Sequence, residues 1–116
     1  MIDPRAAVSR YSLLGVAASL ALSTAAASAA APQHYTVTIT QMRYGSLPAN
    51  LKVGDTIVWI NKDTVQHTVT AKDHSFDLRL DPGKQATQTL GKEGTFAFYC
   101  VYHPTMRGTL KVAAAS

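Results

Sequence analysis

From residue 34 onward, apolar and polar positions alternate with a period of two, in short runs broken by Gly, Pro, Asn and Asp. Tyr35, Val37 and Ile39 alternate with Thr36, Thr38 and Thr40, which predicts a half-buried strand. Gly45 to Asn50 is a loop, Leu51 and Val53 mark a short strand, and Gly54-Asp55 is a turn. Thr56 to Ile60 is strongly β-prone and ends at Asn61-Lys62-Asp63. Gln66 to Thr70, Phe76 to Leu80 and Lys84 to Leu90 follow, with Asp81-Pro82-Gly83 as a turn. Thr95 to Val101 is an aromatic strand, and Gly108 to Val112 closes the pattern. No helical periodicity interrupts the series. Seven or eight short strands at this spacing predict an all-β Greek-key sandwich with antiparallel pairing. Trp59, Phe76, Phe96 and Phe98 are its expected core.

The first thirty residues follow a different pattern. Arg5 and Arg10 supply a positive start, Ser12 to Leu22 is an apolar run too short to span a bilayer, and Ala25 to Ala31 offers small residues for cleavage. Residues 1–29 are therefore expected to be a secretory signal, cut after Ala29 or Ala30, leaving a single domain over 30–116 and no membrane span. Roughly 85–87 residues remain, enough for one core and too few for two. An exported monomer, periplasmic or otherwise secreted, is the expectation.

A domain this small gains from a cross-link, yet Cys100 is its only cysteine. A lone cysteine in an exported protein needs a dedicated task, and metal ligation is one. The nine basic and six acidic residues of 30–116 give a formal charge of +3, scattered without a basic run, which argues against nucleic acid.

The segment Phe96 to Gly108 carries the chemistry. Phe96, Phe98 and Cys100 share one strand face, so the thiol ends an aromatic, core-facing row. His103 and Met106 follow at spacing Cys-x2-His-x2-Met, where a tight loop can aim three side chains at one point. Taken singly, Cys100 reads as a small buried hydrophobe, Met106 as packing and His67 as a structural histidine. Together, two imidazoles, a thiolate and a thioether from His67, Cys100, His103 and Met106 are the donor set of a blue copper site. His34 and His74 read as solvated.

At these residues the chain resembles the cupredoxins, most closely the amicyanin and plastocyanin branch. The resemblance rests on Val53 to Asn61, His67-Thr68-Val69, Pro82-Gly83, Gly94 to Cys100, His103-Pro104 and Met106-Arg107-Gly108. It implies one type 1 copper ion, one-electron transfer, a buried His67 and a His103 edge at the surface. Redox donor and acceptor proteins would dock there, on an apolar ring of Pro104, Thr105, Leu47 and Pro48. Thr68, Tyr102, Pro104 and Asn61 are expected around the ligands. Two positions depart from that branch: Thr68 stands where Asn is usual, and Tyr102 where Pro is usual. The Thr68 amide could donate to the Cys100 sulfur, and its hydroxyl could replace part of the Asn clamp. Unlike Pro, Tyr102 carries an N–H that could point at the thiolate and favour Cu(I). The competing functions are copper storage or delivery, which the presence of only Met42 and Met106 beyond residue 30 disfavours, and an enzyme, for which no orienting acid or open metal position is recognisable.

Overall fold

The computed structural model describes Gly15, Ala18, Ser19 and residues 30–116, so the expected signal lies largely outside the described residues. Among the described residues nine strands follow in order: β1 (His34–Thr40), β2 (Arg43–Tyr44), β3 (Leu51–Lys52), β4 (Thr56–Asn61), β5 (His67–Ala71), β6 (Asp77–Leu80), β7 (Gln85–Thr89), β8 (Gly94–Tyr99) and β9 (Arg107–Ala113). They form two sheets, ordered β2-β1-β4-β7 and β3-β9-β8-β5-β6. The non-consecutive neighbours are the crossovers of a sandwich whose chain passes repeatedly between its sheets.

The alternation in the sequence explains the layering. In β1 Val37 and Ile39 are buried while Thr36 and Thr40 are exposed. In β4 Ile57, Trp59 and Asn61 point inward, and in β8 Phe96 and Phe98 do. The centre is aromatic: Tyr44, Trp59 and Phe98 meet edge to face, with ring centroids 4.9–5.9 Å apart. Phe76 is partly buried and packs on Phe96 at 6.1 Å.

Two features depart from the expected antiparallel sandwich. β1 pairs with β4, and β3 with β9, in parallel. Alternation reports which face a residue occupies and carries no information on the direction of the neighbour, so this was not readable from the pattern. The ninth strand, β2, is two residues long, too short to produce a periodic signal.

β2 is reached by a two-residue turn with unusual chemistry. Gln41 and Met42 have φ of 51° and 59°. Such primed turns favour Asn and Gly, because a Cβ in the left-handed region is crowded. Here the compensation comes from outside the hairpin. The Gln41 and Met42 amides donate to the two carboxylate oxygens of Asp63, at 2.8 and 2.9 Å.

Gly108, near the start of β9, is a point of close approach. A Cβ there would lie 2.6 Å from Phe98 Cζ and 3.0 Å from Leu47 Cδ1. Glycine at this position lets the segment leaving Met106 lie flat on the aromatic core.

Candidate metal centre

β5 and the loop after β8 converge at one end of the sandwich. Alternation places His67 on the core side of β5, fully buried. Cys100 follows the last residue of β8 and is also fully buried. The chain then turns back tightly: the His103 amide donates to the Cys100 carbonyl (3.2 Å), the Met106 amide to the His103 carbonyl (2.8 Å), and the Cys100 amide to the Met106 carbonyl (3.0 Å). These bonds make Cys100 to Met106 a closed loop and seat Met106 in the core, 4% exposed. His103 is half-buried at its rim.

The ligand atoms of His67, Cys100 and His103 all lie within 4.8 Å of one another. Cys100 Sγ is 3.8 Å from His67 Nδ1 and 3.7 Å from His103 Nδ1. A point equidistant from three atoms so spaced is no more than roughly 2.4 Å from each, close to the usual metal–sulfur and metal–nitrogen bond lengths. The residues therefore fit a soft or borderline cation. No backbone rearrangement is needed to bring the two imidazoles and the thiol to it.

The far side of His67 fixes which nitrogen is free. Asp63 Oδ2 lies 2.7 Å from His67 Nε2. Burial alone pushes the Asp63 carboxyl up, but hydrogen bonds from the Met42 amide, the His67 ring and the Gln41 amide outweigh it and hold it below the usual carboxylate range. An ionised carboxylate only accepts, so Nε2 carries the proton and the Nδ1 lone pair faces Cys100. Asn61 shapes the loop that delivers Asp63. Its Oδ1 accepts from the Asp63 amide at 2.9 Å, and its Nδ2 donates to the carbonyls of Val65 (2.8 Å), Leu80 (3.0 Å) and Asp81 (3.3 Å).

Thr68 ties the two halves of the centre together. Its amide donates to Cys100 Sγ at 3.4 Å, and its hydroxyl accepts from the Val101 amide at 2.9 Å. Its carbonyl accepts from the Tyr44 hydroxyl at 2.6 Å. Burial, and after it the neighbouring Cys100, push the Tyr44 hydroxyl strongly upward, so it remains a donor. Among the described residues no hydrogen bond joins the Tyr102 N–H to the sulfur. Its ring turns outward instead, 46% exposed, with its hydroxyl 3.5 Å from an Arg79 guanidinium nitrogen. The close turn of residues 100–106 spends the Cys100, His103 and Met106 amides on carbonyls of its own loop and the Val101 amide on the Thr68 hydroxyl. Pro104 and Thr105 are exposed, Leu47 and Pro48 half-buried, and Val101 is exposed beside Tyr102. His34 and His74 are exposed.

Sequence reasoning missed Asp63, which looks like an ordinary strand-ending turn residue. Its one signal is that it precedes His67 by four positions across a loop that must double back. It also missed Thr70 and Asp77, whose hydroxyl and carboxylate extend the Thr68 network, since nothing in the linear pattern points to them.

The cupredoxin-like domain family model matches residues 12–112. The chain is 32% identical over 82 residues to amicyanin of Paracoccus denitrificans, across 66% of this chain and 63% of that protein. It thus spans less than two thirds of that relative's length. The Cu(I) form of an amicyanin mutant superposes with a TM-score of 0.59 at 30% identity, covering 68% of this chain and 81% of the other. A copper-containing nitrite reductase from Thermus scotoductus shares the fold at 23% identity and a TM-score of 0.60, over 67% of this chain and 22% of the enzyme. Among the described residues no helix is long and apolar enough to cross a membrane.

Proposed function

The chain belongs to the cupredoxin-like domain family, and from that premise we propose that it holds one type 1 copper ion at His67, Cys100, His103 and Met106 and carries single electrons between redox proteins. The observation that supports this most directly is the convergence of two imidazole nitrogens and one thiol sulfur within 4.8 Å. The copper supplies a one-electron couple. Thiolate and thioether stabilise Cu(I), and imidazole serves both oxidation states. The residues supply rigidity: His67 is held from behind by Asp63, and Cys100 by the Thr68 amide and the 100–106 loop. A donor set that barely moves keeps the cost of changing charge low.

His103 is the ligand nearest the surface, and the apolar residues beside it form the face at which donor and acceptor dock. Four protein donors leave no position for a substrate, so the chain acts as a carrier and not as an enzyme. Burial of His67 and Cys100 favours retention of the metal over delivery. The carrier works outside the cytoplasm as a monomer, after loss of residues 1–29; N-terminal sequencing of the exported form tests that boundary.

Adding Cu(II) to the metal-free protein tests the main reading. An intense visible sulfur-to-copper band is expected, bleached reversibly by one electron and absent in Cys100→Ser. A colourless complex in the unmodified chain overturns it.

A further inference from the structure

β5 is buried along its whole length, although its residues alternate between two faces. His67, Val69 and Ala71 face the core. Thr68 and Thr70 face outward, opposite Arg79 and Asp77 in the antiparallel register with β6. Directly opposed residues of such a pair project to the same side, so two threonines lie beneath a polar cover. Thr70 Oγ1 is 2.8 Å from Asp77 Oδ1 and 2.9 Å from Thr68 Oγ1, and Thr68 Oγ1 is 2.9 Å from the Val101 amide.

Proton counting gives this chain of contacts a direction. A hydroxyl has one proton to donate, an amide can only donate, and a carboxylate can only accept. With Asp77 at one end, the Thr70 proton goes to Asp77, and the Thr68 proton then goes to Thr70. The Thr68 lone pairs are left facing the Val101 N–H, the amide immediately after Cys100. We propose that Asp77 is a positioning residue of the metal centre: it orders a relay, Val101 N–H to Thr68 to Thr70 to Asp77, that locks the start of the ligand loop. Each hydroxyl both donates and accepts, so its members strengthen one another. The relay ends on an exposed side chain of β6, so the conformation of the ligand loop is controlled from the surface.

What the loop is held for rests on the copper reading, but the relay itself is testable without metal. Amide hydrogen exchange of Val101 in the metal-free protein reads the terminal bond, with the Trp59 amide in β4 as a reference for global opening. Asp77→Ala and Thr70→Val are each expected to speed Val101 exchange about 5- to 10-fold relative to Trp59. The double variant should be no faster than either single one, since the two residues act as one unit. Asp77→Asn, which keeps an accepting oxygen, should retain the protection. Unchanged Val101 exchange in both single variants overturns the relay. So does additive loss in the double variant, or an Asp77→Asn as fast as Asp77→Ala. If the exchange pattern holds while the unmodified protein fails to develop the visible copper band, the relay stands and the copper reading falls.

Discussion

Asp63 and His67 are joined through Oδ2 and Nε2 at 2.7 Å, and the same carboxylate receives the amides of Gln41 and Met42. One side chain thus serves two elements: it sets the tautomer of a buried imidazole and pins a hairpin whose two turn residues sit at positive φ. Asp63→Leu is expected to lower copper affinity by about 10- to 100-fold, as losing a carboxylate behind a ligand histidine does. Competition titration against a chelator measures this. The variant should also loosen the turn, visible as faster proteolysis or amide exchange at Gln41 and Met42. Unaltered affinity would show that the His67 tautomer is set elsewhere.

Gly108→Ala places a methyl against Phe98 and Leu47 at distances real contacts do not tolerate. Overpacking of this kind costs about 1–3 kcal/mol. Chemical denaturation should show that loss with an unchanged slope, because the fold remains and only its packing is strained. The strain falls two residues after Met106, so a perturbed visible spectrum in the copper-loaded variant is expected to accompany it.

Tyr44→Phe removes the donor to the Thr68 carbonyl while leaving the contacts with Trp59 and Phe98 intact. An acceptor stranded in a buried site costs about 1–3 kcal/mol. Urea unfolding of the metal-free protein reads the change. No loss of stability would mean that another donor replaces the hydroxyl.

At the other end of β4 sits Asp55, fully buried. Burial raises its carboxyl, but the Gln33 amide, the Lys52 ammonium and the Lys52 amide together win and hold it below the usual range. The folded state therefore binds fewer protons than the unfolded one on the acid side. Its contribution is fully present above the ordinary carboxylate pKa of about 4 and is lost as pH falls through the depressed value. Metal-free protein should lose stability on acidification below about pH 4 more steeply than Asp55→Asn does. Denaturation midpoints between neutral and acid pH check this, and parallel curves would exclude Asp55 as a source.

The parts of this molecule that were readable in one dimension are those whose physics is local. Alternation in Tyr35 to Thr40 and Thr56 to Ile60 reports burial because each residue needs only to know its face. Cys-x2-His-x2-Met was legible because seven consecutive residues can close on themselves, as the hydrogen bonds from Cys100 to Met106 do. His67, 33 positions before Cys100, is reached from the sequence only by chemistry, because the donor set calls for a second imidazole. The parallel partners of β1 and β3 were not legible, because strand direction depends on where the chain has travelled in between. Asp63, Thr70 and Asp77 were hidden for a related reason. Each acts on a residue from a different element, and an aspartate before a loop or a threonine in a strand is ordinary in every linear context. The Tyr102 amide misled because a missing proline frees an N–H without saying where it points.

The strand order of the second sheet bears on how the chain can be made. β9, the last of the described strands in chain order, lies inside the sheet between β3 and β8. Until its seven residues emerge, β3 has no neighbour in that sheet and β8 lacks one flank. The sandwich therefore cannot close progressively from its N-terminal strands: it stays open until β9 has emerged, and then assembles through contacts between segments far apart in the chain, a slow class of folding. Removing even the last strand should leave a soft, sticky half-sheet, not a smaller stable domain.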